Sequence, residues 1–391
     1  MQHTLPTAIQ KRLGTVANPK QFKRDRFSRL TGLIAAAALI ASTAIRPVFA
    51  EQSFMPGCYR PTSAETPLLT HPKKDGPYRV ALVNGFFGIP WRIQMIQSLK
   101  SWAARPDVAK DIRELKIVST GADVAAQLAA VDNFIQAGFD AIIFIAVNPS
   151  AFDAVAKRAD RAGTLLVSFD NTVDNPKIVA IQPSQIELEG IKATAVLKLM
   201  NKTSGKVIEV RGLPGNATDR DRHLGARKVL EQNKDIQVIE VVGNWDTGTV
   251  QKVVSDAIAT HGQVDGIVVQ HGSAGAVNAL LASNHPMVPV GGDGENGFRM
   301  ALAKNRAPGV SVEGSPGMSA VAMQAAIAML KGAAIPSSVH LPIPPVFASE
   351  LKADVNYFPE LPATFNTVTG YAECGISFTP TELSGQSPDN Q

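Results

Sequence analysis

Residues 78–102 read YRVALVNGFFGIPWRIQMIQSLKSW, and this stretch contains the unit from which the fold can be inferred. Its apolar residues 80–83 are typical of a buried β-strand, and the segment from Trp91 onward has the pattern of a helix. Two phenylalanines, two glycines and a proline lie between strand and helix. Aromatic side chains beside Arg92 on such a turn would be open to water unless a ligand covered them. The stretch therefore predicts a strand-to-helix unit whose turn is a candidate binding element.

The same alternation of strand and helix continues along the chain. Residues 140–147 and 164–170 form continuous apolar runs, which are typical of strands covered on both faces. Gly138 and Gly163 end helices just before the next strand. After Pro183 the alternation starts again. We therefore expect an α/β fold of two doubly wound, Rossmann-like lobes with mostly parallel sheets.

The alternation also predicts how the chain is divided. The expected segments are an N-terminal lobe of residues 78–183 plus 314–340, a C-terminal lobe of residues 184–313 plus 341–365, and extensions at 51–77 and 366–391. Both extensions are rich in Pro, Thr and Ser, which predicts extended or loosely packed chain. A three-segment hinge should join the lobes near residues 182–184, 313–314 and 341–345.

The basic residues are concentrated at the start of the chain. The chain has a formal net charge of +4, but residues 1–50 contain eight Lys or Arg and one acid. The rest therefore carries 30 basic and 33 acidic residues. The basicity belongs to this leader, so it does not indicate a nucleic-acid partner.

The leader has the order of a secretory signal peptide. Basic residues at 23–29 precede an uncharged apolar run at 30–45, and V-F-A at 48–50 forms a cleavage site after Ala50. A permanent membrane anchor is the alternative, but the run is shorter than the ~20 residues of a spanning helix. We expect cleavage after Ala50 and export to the periplasm.

Two cysteines, Cys58 and Cys374, lie near the two ends of the mature chain. In an oxidising compartment they could form one disulfide that ties the two extensions together, and two independent thiols are the alternative. Two distant cysteines and scattered histidines lack the spacing of a metal site, so we expect no metal.

The ends of the predicted strands carry the candidate site, since ligands of open α/β sheets bind outside the carboxyl ends of the strands. These positions hold aromatic, carboxylate, guanidinium and amide groups without a nucleophile–base pair, which indicates binding rather than catalysis and requires no cofactor. Hydroxyl groups of a sugar pair with such carboxylates and arginines, and its apolar ring face packs on an aromatic. The residues are Phe87, Trp91, Arg92, Asp170, Asn171, Arg220, Arg222, Trp245, Asp246, Gln270, His271, Asp293 and Glu313.

From about residue 78 to residue 347 the chain resembles type I periplasmic sugar-binding proteins, closest to the ribose-binding branch of ABC-transporter receptors. The sequence GIPWR at 88–92 is similar to the family's turn of Asn and Phe around a Pro. GNATDRDR at 215–222 is similar to the family's GTSAARER. This second motif implies that Arg220 is the ligand arginine.

Three further strand ends share the resemblance. GDG at 292–294 is similar to the family's FDG, which implies that Asp293 is the ligand carboxylate. Asp170 matches the first residue of an Asp-Arg pair, and Trp245 with Asp246 matches a Phe-Asp pair.

The chain also departs from the family at ligand positions. The family has an Asn-Asp pair where this chain has His271-Gly272, and a hinge glutamine where this chain has Gly314 with Glu313 beside it. Its second turn phenylalanine is Arg92 here, and its arginine after the strand-end Asp is Asn171. The resemblance thus implies the fold and a transport role but not ribose.

The class of sugar stays open between two interpretations. Arg92, Arg220 and His271 would suit a carboxylated sugar, whereas Asp170, Asp293 and Glu313 suit a neutral sugar or polyol equally well. The implied role is the substrate-binding component of an ABC transporter. It is expected to be a monomer that closes on a small-molecule sugar and docks on a membrane permease with its ATPase subunit.

Three other functions share parts of this sequence pattern. A dinucleotide-dependent oxidoreductase is suggested by the G-x-G-x-x-G pattern of Gly292, Gly294 and Gly297, but Asp293 within that turn would repel a pyrophosphate. A sugar-responsive repressor would need an N-terminal helix-turn-helix domain where this chain has a secretory leader. A sugar-sensing receptor on the same scaffold is not distinguished from a transport protein.

Overall fold

The computed structural model describes residues 54–86 and 88–387. Phe87 lies outside the described residues, as do the predicted signal peptide at 1–50 and its cleavage site. No helix within the described ranges has both the length and the hydropathy needed to cross a bilayer.

The described strands follow one another in an α/β order. In chain order they are β1 (Arg60–Pro61), β2 (Leu68–Leu69), β3 (Tyr78–Asn84), β4 (Ile112–Ser119), β5 (Ala141–Phe144), β6 (Leu165–Phe169), β7 (Val179–Gln182), β8 (Gly205–Arg211), β9 (Ile236–Val242), β10 (Gly266–Val269), β11 (Val290–Gly292), β12 (Gly309–Ser311), β13 (Ile335–Pro336), β14 (Ser338–His340), β15 (Val346–Phe347), β16 (Gly370–Tyr371) and β17 (Ile376–Ser377).

The helices lie between these strands. They are α1 (Pro90–Ala103), α2 (Pro106–Ala109), α3 (Val124–Gln136), α4 (Asp153–Ala162), α5 (Gln185–Met200), α6 (Ala217–Leu230), α7 (Thr247–His261), α8 (Ala274–Ala282), α9 (Asn296–Asn305), α10 (Met318–Leu330) and α11 (Pro380–Ser384).

The first large sheet defines the N-lobe and has the strand order β1-β14-β7-β6-β5-β3-β4. Its described pairings are parallel except that of β1 with β14. Successive residues of β3 enter opposite cores: Val80 and Leu82 pack with α1 and α10, and Ala81 and Val83 pack with α3 and α4. Helices on both faces explain why this strand is a continuous apolar run rather than an alternating one.

The second large sheet defines the C-lobe and has the order β15-β12-β11-β10-β8-β9. Its described pairings are parallel except that of β12 with β15. On β8, Ile208 and Val210 pack towards α7 and α8, whereas Val207 packs towards α5 and α6. The predicted fold class, two doubly wound parallel-sheet lobes, is confirmed.

The chain passes between the two sheets in three places. It leaves the N-lobe sheet after β7, returns after β12, and leaves again between β14 and β15. These passages contain residues 182–184, 313–314 and 341–345, the three positions that the sequence suggested for the hinge. The exact lobe boundaries given above stay a prediction.

Parts of both terminal extensions are packed, so the expectation of extended or loosely packed chain is wrong for those parts, whereas residues 60–64 are exposed. Cys58 and Tyr59 are fully buried in the N-lobe core, where Tyr371 and Phe378 of the C-terminal extension join them. Cys58 and Cys374 form a disulfide. The apolar residues of the extensions are too few to predict a helix or a strand from the sequence. They nonetheless complete the N-lobe core beside α1 and α10.

The disulfide should contribute to stability. Because it closes a loop with a sequence separation of 316 residues, its removal frees the unfolded chain considerably. We expect Cys58→Ser/Cys374→Ser protein to lose about 2–5 kcal/mol of unfolding free energy. Guanidinium chloride unfolding followed by circular dichroism measures the loss, and wild-type protein unfolded in reductant provides the control. An unchanged midpoint in both samples would contradict the expectation.

Candidate ligand-binding cleft

The polar residues at the strand ends form two clusters. One lies in the N-lobe at the ends of β3 and β6, and the other lies in the C-lobe at the ends of β10, β11 and β12. Parallel strands place these ends at one edge of each sheet, which is why residues far apart in sequence meet there.

Arg92 is the centre of the N-lobe cluster. Its Nη1 donates to Asn84 Oδ1 at 2.9 Å, and its Nη2 lies 3.6 Å from Asp170 Oδ2. Its guanidinium carbon lies 5.8 Å from the ring centroid of Trp91. Burial raises the pKa of Asp170 even though Arg92 opposes the shift. The N-lobe therefore presents an arginine–carboxylate pair beside an indole ring.

The two neighbours of this pair have structural bonds. Trp91 Nε1 donates to the carbonyl oxygen of Gly314 at 3.1 Å, which links α1 to the passage after β12. Asn171 Nδ2 donates to the carbonyl oxygen of Ala146 at 2.6 Å. The Asn171 amide thus fixes the turn after β6.

Arg222 is the centre of the C-lobe cluster, with a side chain only 8% exposed. Its Nε donates to Gln185 Oε1 at 2.8 Å, Nη1 to the carbonyl oxygen of Gln270 at 2.7 Å, and Nη2 to Glu313 Oε1 at 3.1 Å. The planar fork of arginine suits three partners in different directions. The guanidinium is therefore held in one orientation.

The structure does not bring Arg220 into either cluster. Its side chain is 66% exposed, and its Nε bonds Asp221 Oδ1 at 2.7 Å. Two positions along a helix differ by roughly 200° around its axis, so Arg220 and Arg222 point to nearly opposite sides of α6. The arginine that the structure places among the strand ends is Arg222 rather than Arg220. The positions of the two arginines within TDRDR, two residues apart on a predicted helix, could have distinguished the buried arginine from the exposed one.

His271 joins three carboxylates. Its Nδ1 lies 3.2 Å from Glu313 Oε2 and 3.6 Å from Asp293 Oδ2, and its Nε2 lies 3.4 Å from Glu295 Oε1. Burial disfavours the imidazolium, but the three carboxylates outweigh it and hold the pKa of His271 well above its usual value. Glu295 was missed by the sequence analysis, although its place two residues after Asp293 was visible.

Glu313 connects this histidine with Arg222. One carboxylate oxygen faces Arg222 and the other faces His271. Burial would raise the pKa of Glu313, but these two cations lower it to about 2. Glu313 is therefore a buried anion that bridges two cations at a passage between the sheets.

Asp293 is fully buried and holds its own turn. Oδ2 accepts from Ser273 N at 2.9 Å and from Ser273 Oγ at 2.8 Å, and Oδ1 accepts from Glu295 N at 2.9 Å. These hydrogen bonds explain why the GDGENG turn contains an aspartate, and they do not require its carboxylate to bind a ligand.

The same turn has no place for a pyrophosphate. The N–H groups of Asn296 and Gly297, at the start of α9, donate at 2.8 Å to the carbonyl oxygens of Phe365 and Ala363. These are the N–H groups that a nucleotide phosphate would need. The dinucleotide interpretation therefore fails on the structure.

Trp245 flanks the C-lobe cluster. It has a positive φ of 59° and is half-buried, and its Nε1 donates to Gln270 Oε1 at 3.1 Å. Its indole lies so close to Gly212 that a Cβ there would be 1.9 Å from Nε1. Asp246 is exposed and caps α7 through Thr249 N at 2.7 Å, which is a structural role.

The two clusters face each other. Trp91, beside Arg92 in the N-lobe cluster, bonds the carbonyl oxygen of Gly314 at 3.1 Å, and Gly314 directly follows Glu313 of the C-lobe cluster. The structure thus brings together Trp91, Arg92 and Asp170 from one lobe with Arg222, His271, Asp293 and Glu313 from the other lobe and the hinge.

Metal-compatible spacing occurs among the described residues in the groups His271–Asp293–Glu295 and Glu209–His223–Glu240. In the first group the imidazolium bridges the carboxylates. In the second, Arg227 bonds Glu209 Oε2 at 2.7 Å and Glu240 Oε2 at 2.6 Å. Both groups are ion-pair networks, since His271 pairs with Asp293 and Glu295 in the first group, and Arg227 pairs with both carboxylates of the second.

The chain has two parallel-sheet lobes that are joined by three passages, and polar and aromatic side chains lie at the strand ends between them. This arrangement defines a bilobal solute-binding protein. The periplasmic binding protein domain matches residues 80–334, and the chain belongs to this family. It has the type I fold.

Individual relatives agree with this assignment. The ribose import binding protein RbsB of Bacillus subtilis is 22% identical over 289 residues, with 72% of this chain and 92% of that protein covered. An ABC transporter solute-binding protein of Thermobispora bispora is 26% identical with a TM-score of 0.62, covering 70% of this chain and 89% of that one. A solute-binding protein of Bacillus halodurans with bound myo-inositol has a TM-score of 0.60 at 20% identity, covering 71% and 97%.

Replacing the two arginines of α6 should have unequal effects. Arg222→Gln leaves Glu313 buried with His271 as its remaining ion-pair partner, so we expect about 3 kcal/mol of stability to be lost. Arg220→Gln removes a solvent-exposed pair and should change stability by less than about 0.5 kcal/mol. Urea unfolding of both variants measures the contrast, and equal losses would refute the placement of Arg222.

The His271 cluster predicts a pH dependence. Because folding raises the His271 pKa, its contribution to stability is complete below the unfolded-state pKa of about 6.5 and is lost as pH rises through the folded-state pKa. The stability difference between wild type and His271→Gln should therefore shrink by about 1.4 kcal/mol per pH unit between these two values.

Urea unfolding between about pH 6 and pH 9 measures this slope. Asp293, Glu295 and Glu313 are the titratable groups that face the imidazole. His261→Gln, at an exposed position at the end of α7, is the matched control. A pH-independent difference for His271→Gln would show that the imidazolium does not hold the cluster.

Proposed function

We propose that this chain is the substrate-binding component of an ABC transporter and captures a neutral monosaccharide or polyol between its lobes. The observation that carries the proposal is the facing pair of clusters, Arg92–Asp170 on one side and Arg222–Glu313–His271 on the other. Carboxylates and guanidinium groups in alternation are the groups that bind vicinal hydroxyls.

Charge balance favours a neutral ligand over a sugar acid. Arg92 is paired with Asp170 and Arg222 with Glu313, and His271 lies within 3.6 Å of Glu313, Asp293 and Glu295. A carboxylated sugar would need a cation without such a partner, since a buried unpaired charge is costly. Hydroxyl groups instead complete the remaining hydrogen bonds of a site whose cations already have carboxylate partners.

Two indoles provide the apolar faces of such a site. Trp91 adjoins the N-lobe cluster and Trp245 adjoins the C-lobe cluster, and the C–H face of a sugar ring packs on flat aromatic rings. The named ligands of two relatives, ribose and myo-inositol, are neutral and polyhydroxylated and support the proposal.

The mechanism proposed is a clamp. A ligand that bonds both clusters favours the closed arrangement of the lobes by its higher affinity for that arrangement. The closed monomer then docks on a membrane permease, whose ATPase subunit supplies the energy. The chain itself binds the sugar without transforming it, and it reaches the periplasm through a signal peptide cleaved after Ala50.

The test is a ligand panel on protein beginning at Glu51. D-Ribose, D-allose, xylitol, myo-inositol, D-gluconate and NAD are compared by thermal shift, because a ligand that binds only folded protein raises its melting temperature. We expect a neutral sugar or polyol to raise it and D-gluconate and NAD to leave it unchanged. Stabilisation by D-gluconate or NAD alone would overturn the proposal.

Isothermal titration then locates the site with one pair of variants. Asp170→Asn removes a cleft carboxylate and should weaken binding of the best panel member by about tenfold or more. Asp174→Asn, at an exposed position four residues later, is the matched control and should bind as wild type does. Equal affinities for the two variants would contradict the assigned cleft.

A further inference from the structure

The C-terminal strap, defined as residues 363–371, lies beyond the region that matches the family and is bonded to both lobes. On the C-lobe side, Thr367 donates through N at 2.8 Å and through Oγ1 at 2.7 Å to the carbonyl oxygen of Gly294. The N–H groups of Asn296 and Gly297 donate at 2.8 Å to two carbonyl oxygens at the start of the strap or just inside it. These hydrogen bonds hold the first part of the strap on the C-lobe.

On the N-lobe side the strap is bonded to α1. Gln94, a buried residue of this helix, donates through Nε2 to the carbonyl oxygen of Asn366, and Asn366 N donates to Gln94 Oε1, both at 2.8 Å. In the passage after β12, Ser315 Oγ donates to the carbonyl oxygen of Val368 at 2.6 Å. Just beyond the strap, the disulfide of Cys374 joins the chain to the N-lobe core. The second part of the strap therefore belongs to the N-lobe.

The change from one lobe to the other falls between two adjacent residues. Asn366 is bonded to α1 and Thr367 is bonded to Gly294, although consecutive Cα atoms are only about 3.8 Å apart. No further residue lies between the two attachments to take up a movement. A rotation that carries α1 away from Gly294 therefore has to break the bonds on one side. The strap is a fourth connection between the lobes, in addition to the three passages.

The strap joins the two elements that carry the clusters of the cleft. Gln94 lies three residues after Trp91 on the same face of α1, and Trp91 belongs to the N-lobe cluster. On the other side, a Cβ on Gly294 would lie 2.9 Å from Glu313 Cβ, so the bonded turn adjoins the C-lobe cluster. The strap therefore acts where the distance between the two clusters is decided.

We propose that Gln94 is a positioning residue that, through the C-terminal strap, stabilises the arrangement of the lobes in which the two polar clusters face each other. The strap restrains the opening of the cleft. A ligand that binds both clusters requires this arrangement, so its apparent affinity depends on the fraction of molecules that adopt it. The effect on affinity rests on the proposed function, whereas the restraint on the lobes does not.

Two substitutions weaken the connection from opposite sides. Gln94→Leu removes both bonds between α1 and the strap, and Thr367→Val keeps the shape of the side chain and removes its Oγ1 bond to Gly294. Ser101→Ala is the matched control. Ser101 Oγ donates at 2.9 Å to the carbonyl oxygen of Glu382, so this bond joins α1 to the C-terminal extension within the N-lobe alone.

Small-angle X-ray scattering of ligand-free protein beginning at Glu51 measures the opening, after circular dichroism has established that each variant is folded. We expect a larger radius of gyration for Gln94→Leu and Thr367→Val than for wild type, and an unchanged value for Ser101→Ala. Because the two substitutions act on different lobes, a shared expansion is specific to a connection between them. Thr367→Val, the milder change, decides the test if Gln94→Leu does not fold.

Two scattering results would overturn the proposal. One is a wild-type radius of gyration in the folded strap variants. The other is an equal expansion in Ser101→Ala, which would assign the effect to packing of the extension on α1 rather than to a connection between the lobes.

Isothermal titration with the best-bound member of the panel of D-ribose, D-allose, xylitol and myo-inositol gives the second readout. Gln94→Leu should raise Kd by about tenfold, equivalent to about 1.4 kcal/mol, and Thr367→Val by about threefold, because fewer molecules hold the clusters together. Ser101→Ala should change Kd by less than about twofold.

The titration separates this inference from the proposed function. If wild type binds a panel member and both strap variants bind it equally well, the positioning role of Gln94 is overturned and the proposed function stands. If wild type binds no panel member, the proposed function fails, and the scattering comparison alone decides whether the strap restrains the lobes.

Discussion

A buried carboxylate at the passage between the sheets constrains the rest of the site. Glu313 is nearly inaccessible to water, and a charge in such a place needs cations and hydrogen-bond donors around it. Arg222 and His271 provide them, one from α6 and one from the end of β10. Because Arg222 also bonds Gln185 and Gln270, the start of α5 and two strand ends are oriented together. The polar groups of the cleft therefore hold one another in fixed orientations, and such preorganisation lowers the entropic cost of binding.

The terminal extensions add a second constraint of a different kind. The C-terminal strap, residues 363–371, bonds Gly294 of the C-lobe and Gln94 of the N-lobe, and Cys374 just beyond it forms the disulfide with Cys58. A change in the angle between the lobes must therefore be accommodated by the strap as well as by the three passages. The strap lies outside residues 80–334, the region that matches the family, and it is next to the candidate ligand-binding cleft.

Much of this organisation could be predicted from local sequence. Residues 141–144 are continuous and apolar because helices cover both faces of the sheet, and the restart after Pro183 marks the second sheet. Strand-end chemistry indicated sugar binding because carboxylates, guanidinium groups and indoles recur at these ends. Arg92 and Asp170 were predicted as site residues, and the structure pairs them.

The α/β class, the passages between the lobes and the residue types at the strand ends could be inferred from the sequence alone, because they follow from periodicity and from residues next to each strand. Three further features required the folded structure: Arg222 rather than Arg220 joins the C-lobe cluster, Glu295 lies beside His271, and the C-terminal extension places Asn366 beside Glu295. Each of these depends on which side of a helix faces the sheet or on contacts across the molecule. Such contacts do not produce a periodic pattern of residues in the sequence.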